Sequence, residues 1–224
     1  MSEIIKKLVL FDLDGTLLDT LQDLTAAVNH ILEELGCPKR SAAEVRSYLG
    51  NGARELVRLA LPFAVEDGIL DEHLERYKKY YNAHSKIETK PYEGVIELLG
   101  ELKKRGVRTA VVSNKPDAAT KSLCQEYFDG LIDLAIGDRA DIVRKPAADP
   151  ILLAMRTLDC EVAVHVGDSD VDVETAKNAG IPCVAVTWGF RDRHELESAG
   201  AEYFASDANE LRACIFNLIE IEEN

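Results

Sequence analysis

The sequence predicts an α/β fold in which a doubly wound, mostly parallel β-sheet carries an inserted all-α domain. The first observation is a series of apolar, β-branched runs of four or five residues, which have the two-sided hydrophobicity of buried parallel strands. These runs are residues 8–11, 109–113, 162–166 and 183–187, with residues 133–136 as a weaker fifth. Helical patterns separate the runs, and this alternation implies right-handed βαβ units.

The helical patterns have clear end signals. One helix is predicted over residues 93–105, before a glycine, and another over residues 116–127, with proline just inside its start. A third is predicted to open at Asp149, and a fourth covers residues 170–179. Helices in these places form the crossovers between the predicted strands.

The segment from about Leu18 to Ser85 breaks this alternation. Its amphipathic stretches all have helical spacing, and no strand is predicted among them. A helical block of this length, directly after the first strand, is most simply an inserted domain. We therefore predict a core domain of residues 1–17 and 87–224 and an all-α cap domain of residues 18–86.

The composition restricts the expected partners. The 224 residues carry a formal net charge of −14, and such an acidic surface repels nucleic acids and anionic membranes, so neither is expected to bind. Five scattered cysteines show no zinc or disulfide spacing, and no apolar stretch reaches the length of about 18 residues that a membrane span needs. We expect a cytoplasmic protein with reduced thiols, in which any phosphate site is locally cationic.

A first acidic motif, Asp12-Leu13-Asp14-Gly15-Thr16, directly follows the first apolar run. Residues two apart in an extended chain point the same way, so both carboxylates are expected to face one crevice. Ligands of open α/β sheets bind beyond the carboxyl ends of the strands, where this motif falls. The alternative interpretation is that the two aspartates only cap a turn, as Asp often does at strand ends.

A second acidic motif, residues 167–172, follows another predicted strand. Asp168 is expected at the carboxyl end of that strand, with Asp172 one helical turn later on the same face. Asp170 between them is interpreted as the N-cap of the following helix.

The four carboxylates of Asp12, Asp14, Asp168 and Asp172 are expected to meet at one edge of the sheet. Two like charges about 4 Å apart cost about 4 kcal/mol at an effective dielectric constant of about 20, so the cluster either raises a pKa or binds a metal ion. Oxygen ligands without histidine or cysteine favour Mg²⁺ over Zn²⁺. The sequence therefore predicts a magnesium site.

Polar residues follow two further predicted strands. Ser113, Asn114 and Lys115 offer a hydroxyl, an amide and a nearby cation for phosphoryl oxygens, and Lys145 is expected near the same edge. The alternatives are that Ser113 and Asn114 are turn residues and that Lys145 is a solvated charge.

In their order and positions, these motifs resemble those of the haloacid dehalogenase superfamily. The corresponding segments are DLDGT at 12–16, VVSN at 111–114, Lys145, and GDSDVD at 167–172. The resemblance covers essentially the whole chain, including a helical cap inserted after the first motif. It implies a Rossmann-like core and a magnesium-dependent phosphatase, because aspartate at the first motif and threonine at position 16 favour phosphatases over true dehalogenases.

The resemblance also implies roles for single residues. Asp12 is the expected nucleophile, which forms an aspartyl-phosphate, and Asp14 is the expected general acid and base. Thr16, Ser113 and Asn114 are expected to position the phosphoryl group or the neighbouring carboxylates.

The same resemblance assigns the charged groups around the nucleophile. Lys145 would hold the nucleophile against a dianionic phosphate. Asp12, the backbone carbonyl of Asp14 and Asp168 would bind Mg²⁺, with Asp172 in or near the outer sphere of ligands.

The predicted cap contains a G-x-G turn that leads into a helix. Its residues Gly50, Asn51 and Gly52, followed by Arg54, are candidates to receive an anionic group of the substrate, although a plain helix–helix turn explains them as well. Together with Thr187-Trp188-Gly189-Phe190, this turn makes the sequence similar to the phosphoglycolate phosphatases. The similarity implies a small phosphorylated metabolite as the substrate. We expect the protein to be a monomer or a homodimer.

Other functions stay open on the residues alone. A pyrophosphatase, a nucleotidase or a sugar phosphomutase of the same superfamily would share every core motif. A non-enzymatic phospho-receiver would also hold Mg²⁺ in an acidic pocket, but receivers are smaller and lack a large helical insertion after the first strand.

Overall fold

The computed structural model describes residues 6–220; the ends of the predicted core domain, residues 1–5 and 221–224, lie outside the described residues. In chain order the elements are β1 (Lys7–Phe11), β2 (Leu18–Asp19), α1 (Leu21–Glu34), α2 (Ala42–Tyr48), α3 (Gly52–Ala60), α4 (Asp67–His84), β3 (Lys90–Pro91), α5 (Val95–Lys104), β4 (Arg108–Pro116), α6 (Asp117–Phe128), β5 (Leu134–Asp138), α7 (Asp149–Leu158), β6 (Val162–Gly167), α8 (Asp170–Ala179), β7 (Cys183–Val186), α9 (Arg193–Ser198), β8 (Tyr203–Ala205) and α10 (Ala208–Leu218). No helix between residues 6 and 220 is both long and apolar enough to cross a bilayer.

The central sheet of the described chain has six strands in the order β5-β4-β1-β6-β7-β8, and each neighbouring pair is parallel. β1 lies inside the sheet, where Phe11 is in register with Val111 of β4 and Val166 of β6. Successive residues of β1 pack into different hydrophobic clusters, because side chains alternate across a strand: Val9 belongs to one cluster and Leu10 to another. The predicted doubly wound, mostly parallel sheet is confirmed.

The structure contains three short strands that the sequence pattern does not predict. β8 extends the sheet beyond β7, while β2 and β3 form an antiparallel pair in which Leu18 lies opposite Pro91. Each of these strands has only two or three residues, which is too short for a period of two to be visible. The β2–β3 pair lies where the chain leaves the sheet and returns to it.

Helices α1 to α4 follow one another between β2 and β3, and we call them the cap. Their buried side chains, such as Leu24 and Val28 of α1 and Tyr77 and Tyr81 of α4, form a hydrophobic cluster separate from the clusters on the sheet. Apolar residues at spacings of three and four place this cluster on one face of each helix. The separate cluster supports the predicted division into core and cap domains, whose boundaries stay a prediction.

A buried carboxylate joins the cap to the returning chain. Asp23 of α1 accepts hydrogen bonds from the backbone N–H groups of Ile87, Glu88 and Thr89 and from the Thr89 hydroxyl, at distances of 2.7–3.2 Å. These bonds hold the returning segment against α1. They therefore fix one end of the cap relative to the sheet.

Candidate active site

The carboxyl ends of β1 and β6 bring three aspartates together. Asp12 follows β1, Asp168 follows β6, and Asp172 lies in the first turn of α8. One carboxylate oxygen from each lies within 4.8 Å of the other two, and Asp168 and Asp172 are fully buried. Parallel strands that are neighbours in the sheet end at the same edge, which is why segments so distant in sequence meet here.

Lys145 lies directly beside this cluster. Its Nζ is 2.9 Å from Asp12 Oδ1 and 2.7 Å from Asp172 Oδ1, and its side chain is buried. Burial by itself lowers the pKa of the ammonium, but the charges of Asp12 and Asp172 outweigh burial and raise this pKa above its ordinary value. Lys145 is therefore a permanent cation next to the candidate nucleophile.

Asp172 is held from several sides. Its Oδ2 accepts hydrogen bonds from Ser169 Oγ at 2.6 Å and from Ser169 N at 3.2 Å, and its Oδ1 lies 3.0 Å from His165 Nε2. Burial raises the pKa of Asp172, but Lys145 and His165 lower it by more, so that this pKa lies below its ordinary value. Asp172 therefore stays ionised and orients Lys145.

The start of α8 corrects one interpretation of the sequence. Asp170 is not the N-cap: Ser169 has the extended backbone of an N-cap, and its Oγ accepts the N–H of Asp172 at 3.3 Å. Asp172, at the third helical position, accepts the N–H of Ser169 in return, which completes a capping box that Asp170 cannot form. The carboxylate of Asp170 instead lies 3.2 Å from the guanidinium of Arg191.

A hydroxyl group and the nearby backbone enclose Asp168. Its Oδ1 accepts a hydrogen bond from Thr16 Oγ1 at 3.1 Å, and its Oδ2 accepts the backbone N–H of Phe190 at 2.7 Å. A Cβ added to Gly15 would lie 2.2 Å from Asp168 Oδ2, and one added to Gly189 would lie 2.3 Å from Asp168 Cβ. Glycine is therefore needed at both positions because the backbone approaches the carboxylate so closely.

Two carboxyl groups of this cluster, those of Asp12 and Asp168, have a pKa above its ordinary value. Burial is the main cause that raises the pKa of Asp12 and the pKa of Asp168, and the nearby charge of Asp172 raises both further. Lys145 offsets this effect only in part for Asp12. Buried carboxylates in this situation bind either protons or a cation, and their oxygen donors suit a hard divalent ion. The residues present therefore fit a metal ion.

Asp14 faces the same cavity, but its carboxylate is engaged elsewhere. Lys115 Nζ donates to Asp14 Oδ1 at 3.0 Å and to Oδ2 at 2.8 Å. The same Nζ lies 4.3 Å from the centre of the Tyr81 ring, which belongs to α4 of the cap. The structure therefore gathers three of the four predicted carboxylates, and the fourth forms a partly buried ion pair with a lysine.

Ser113 and Asn114 lie in the last part of β4 and line the cavity beside Asp12. Asn114 Nδ2 donates to the backbone carbonyl of Lys145 at 3.0 Å and to that of Gly50 at 3.1 Å. Asn114 therefore links two segments: the loop that contains Lys145 and the cap, through Gly50. The structure brings both predicted residues to the site.

The cap closes the other side of the cavity. Its contribution comes mainly from the turn before α3, from α3 itself and from α4, namely Leu49, Gly50, Gly52, Ala53, Leu56, Tyr77, Lys78, Tyr81 and Asn82. Of the four cap residues that the sequence proposes, Gly50 and Gly52 line the cavity, whereas Asn51 is exposed. Arg54 turns away, since its guanidinium donates to Asp67 at 2.6 Å and to Asp71 at 3.0 Å on an exposed surface.

The sequence does not point to three residues that shape this site: Tyr81, Arg46 and Arg191. Lys115 is predicted as a cation near the phosphoryl oxygens, but its ion pair with Asp14 is not predicted. Tyr81 and Arg46 are ordinary members of amphipathic helices, so no pattern distinguishes them. Arg191 ends residues 188–191, which follow β7 and are called here the β7 loop; this arginine also lines the cavity.

The fold and the site define the class of this protein, and comparison with known families gives the same answer. The sequence model of the haloacid dehalogenase-like hydrolases matches residues 9–186, which is most of the chain. The chain therefore belongs to the haloacid dehalogenase-like hydrolases, as the resemblance of its motifs implies.

Individual relatives are similar over nearly the full length. The chain is 36% identical to phosphoglycolate phosphatase 1 of Pseudomonas aeruginosa, over 96% of this chain and 82% of that protein. It is 34% identical to a phosphoglycolate phosphatase of Aquifex aeolicus, over 82% of this chain and 86% of that protein. The crystal structure of a predicted phosphoglycolate phosphatase from Haemophilus somnus superposes with a TM-score of 0.85 at 27% identity, covering 93% of this chain and 98% of that one. The predicted similarity to the phosphoglycolate phosphatases is confirmed.

Proposed function

We propose that this protein is a magnesium-dependent phosphatase that hydrolyses a small anionic phosphate monoester, and that phosphoglycolate is its substrate. The observation that carries the proposal is the position of Asp12, whose carboxylate lies 2.9 Å from the buried Lys145 ammonium and within 4.8 Å of two further carboxylates. Attack by a carboxylate on a phosphate dianion sets anion against anion, so cations must surround the reaction. Lys145 supplies one cation, and the aspartates offer ligands for a second.

In the proposed reaction, a carboxylate oxygen of Asp12 bonds to phosphorus while the bond from phosphorus to the ester oxygen breaks. Asp14 must bind a proton for this step, which ends its ion pair with Lys115. The departing oxygen then takes that proton from Asp14 and leaves as an alcohol. Water then bonds to the phosphorus of the phospho-aspartate and gives its proton to Asp14, while the bond to Asp12 breaks. Phosphate leaves, and both carboxyl groups return to their starting states.

Other residues of the site hold these partners in place. Lys145 would keep Asp12 ionised and pull an equatorial phosphoryl oxygen toward it, and Asp172 holds Lys145 in that position. Ser113 and Asn114 line the same part of the cavity, where a hydroxyl and an amide can donate to phosphoryl oxygens. Thr16 orients Asp168 through its hydroxyl.

The proposed magnesium ligands are Asp12, the backbone carbonyl of Asp14 and Asp168, with Asp172 outside the coordination sphere. A bound Mg²⁺ would neutralise charge on the transferring phosphoryl group. Two observations support this choice: the pKa of Asp12 and the pKa of Asp168 are raised mainly by burial, and the donors in the cluster are oxygen atoms only.

The cap side of the cavity supports a substrate with a second anionic group. Lys115 is a buried cation that lines the cavity and contacts Asp14, whereas Lys145 contacts Asp12 and Asp172. Gly52, the first residue of α3, lines the same cavity, and the free N–H groups of a helix lie at this end. In phosphoglycolate, the ester oxygen and one methylene carbon separate phosphorus from the carboxylate carbon. Lys115 and the N–H groups at the start of α3 would complement this carboxylate. The relatives that share most of this chain carry the same substrate in their names.

We further propose a cytoplasmic location. It is supported by the cysteines, since Cys37, Cys124, Cys160, Cys183 and Cys214 are all free thiols. Whether the protein is a monomer or a homodimer stays a prediction.

The test is release of inorganic phosphate from phosphoglycolate and from a panel containing pyrophosphate, a nucleoside monophosphate and a hexose phosphate. We expect phosphoglycolate to have the highest kcat/KM. We also expect the activity to vanish when divalent cations are removed and to return when Mg²⁺ is added. Asp12→Asn should lower kcat by at least about 1,000-fold, because the amide is not a nucleophile.

Asp138→Asn is the matched control, because Asp138 ends β5, two strands from β1, at the same edge of the sheet but is exposed and outside the cluster. It should keep the wild-type rate. An Asp12→Asn variant with nearly normal kcat would contradict the covalent route. A higher kcat/KM for another member of the panel would contradict the proposed substrate alone.

A further inference from the structure

Two arginines, one in the cap and one in the core, each donate hydrogen bonds to backbone carbonyls on the other side of the boundary between cap and core. Arg46 of α2 donates from Nε to the carbonyl of Phe190 at 2.7 Å and from Nη2 to the carbonyl of Gly189 at 2.8 Å. Both acceptors belong to the β7 loop of the core. In return, Arg191 of that loop donates from Nη2 to the carbonyl of Leu49, the C-cap residue of α2, at 2.7 Å. The cap helix and the β7 loop are therefore fastened to each other in both directions.

The same loop sets the orientation of Asp168. Phe190 donates its backbone N–H to Asp168 Oδ2 at 2.7 Å, and Gly189 packs against the Cβ of this aspartate. At the start of the loop, Trp188 Nε1 donates to the carbonyl of Thr16 at 3.1 Å, and Thr16 Oγ1 donates to Asp168 Oδ1. Both oxygens of this proposed metal ligand are therefore held by the β7 loop or by a residue that the loop contacts.

One peptide group connects the two sets of contacts. The carbonyl of Gly189, which accepts from Arg46, and the N–H of Phe190, which donates to Asp168, belong to the same planar unit. A planar peptide cannot turn its carbonyl without turning its N–H. A cation on the carbonyl also polarises the peptide and strengthens the N–H as a donor. The side chain of Phe190 meanwhile packs into the hydrophobic cluster of the cap.

We infer that Arg46 is a positioning residue of the metal site: through the peptide between Gly189 and Phe190, it aligns Asp168 for the divalent cation. The inference rests on the metal site proposed above. It also means that cation binding and the docking of the cap on the core stabilise each other by the same factor, because coupling between two equilibria is reciprocal. A residue of the cap thereby acts on a ligand that lies wholly in the core.

The experiment measures Mn²⁺ binding by the electron paramagnetic resonance signal of the free ion, with no substrate present. Arg46→Met should weaken Mn²⁺ binding by about 10-fold, the lower end of what is typical when a group that orients a metal ligand is lost. Arg46→Lys should give a smaller loss, because one ammonium cannot span two carbonyls as the guanidinium does. Circular dichroism establishes that each variant is folded.

Arg40→Met is the matched control. Arg40 also donates from Nε to a backbone carbonyl, that of Ala60 at 2.9 Å, but this contact lies within the cap. It should leave Mn²⁺ affinity unchanged even if it lowers the thermal stability. An equal loss of affinity in Arg40→Met, or wild-type affinity in folded Arg46→Met, would overturn the inference; if Arg46→Met does not fold, wild-type affinity in Arg46→Lys overturns it. No Mn²⁺ binding by the wild type would overturn the proposed metal site as well.

Discussion

The two buried lysines of the site differ in what holds them. Lys145 Nζ lies 2.9 Å from Asp12, which follows β1, and 2.7 Å from Asp172, which lies in α8. Both carboxylates belong to the core. Lys115 is paired with Asp14 on one side and lies against the ring of Tyr81 on the other, 4.3 Å from its centre. One lysine is thus enclosed by the core, whereas the other also contacts the cap.

This difference separates two tasks of the proposed enzyme. The phosphoryl group is common to all phosphate esters, so the cation beside the nucleophile belongs in the part of the fold that is most rigidly built. The remainder of the substrate differs from ester to ester, and a cation that contacts the cap can respond to it. We therefore expect Lys145 to affect all substrates alike, and Lys115 to affect them according to their charge.

The largest expected effects test this comparison directly. Lys145→Met should lower kcat/KM by about 1,000-fold both for phosphoglycolate and for ethyl phosphate, because charge on the phosphoryl oxygens loses its protein cation. Lys115→Met should lower kcat/KM by about 100-fold for phosphoglycolate, the value of a charged hydrogen bond, but only a few-fold for ethyl phosphate, which has no carboxylate. Steady-state kinetics on both esters measure the ratio.

Lys121→Met serves as the control for loss of a lysine near Lys115. Lys121 follows on α6 and pairs with Asp117 at 2.6 Å, but its side chain is half exposed. It should leave both kinetic constants unchanged. The comparison fails if Lys115→Met lowers kcat/KM equally for both esters, because Lys115 would then act on Asp14 and not on the substrate.

The two lysines also show how far the sequence allowed prediction. Lys145 was assigned because four motifs at the ends of predicted strands occur in a known order, and parallel strands that lie side by side must bring their carboxyl ends together. The same logic placed Asp12 and Asp168. These contacts follow from the topology of the sheet, which the apolar runs reveal.

Contacts between cap and core could not be predicted in this way. Arg46 donates to backbone carbonyls, which every residue possesses, so its partners leave no trace in the sequence. The sequence favours Arg54 because it follows the G-x-G turn, but its guanidinium pairs with Asp67 and Asp71. Which face of a short helix meets the core depends on how the cap packs, and that depends on many distant side chains at once.

A smaller expected effect is the dependence of protein stability on pH, which the aspartate cluster should dominate. The raised pKa of Asp12 and of Asp168 means that the folded state binds protons more tightly than the unfolded state, so without metal these groups lower stability as pH rises above about 4. Asp172 has a lowered pKa, and its contribution is lost only as pH falls below its ordinary range. Lys145 has a raised pKa, and its contribution is lost only at high pH.

Between pH 5 and pH 8, Asp12 and Asp168 should therefore dominate the response of this cluster. We expect the Tm of the metal-free protein to fall by several degrees over this range, and the increase of Tm on adding Mg²⁺ to be larger at pH 8 than at pH 5, since the ion competes with protons. Differential scanning calorimetry measures both. Asp168→Asn should flatten the dependence; an unchanged slope in that variant would show that the cluster does not cause it.

The smallest effects test the cap turn, where the structure divides the predicted residues into two kinds. Gly52 has φ of +80°, and a Cβ there would lie 3.2 Å from the carbonyl oxygen of Asn114 and 3.3 Å from the guanidinium of Arg144. Gly52→Ala should therefore strain the backbone by about 1–2 kcal/mol and press the turn against β4. We expect KM for phosphoglycolate to rise several-fold with little change in kcat.

Arg54→Ala is the comparison for this turn, because Arg54 lies two residues further along but its guanidinium is exposed and paired with Asp67 and Asp71. Its kcat and KM should stay within about twofold of the wild-type values, as is usual for exposed ion pairs. If Arg54→Ala raised KM more than Gly52→Ala, the guanidinium would have to leave both aspartates and enter the cavity when substrate binds. The Arg54 side chain, and not the backbone of the turn, would then bind the anion. The close packing of the turn on Asn114 would then only stabilise the fold.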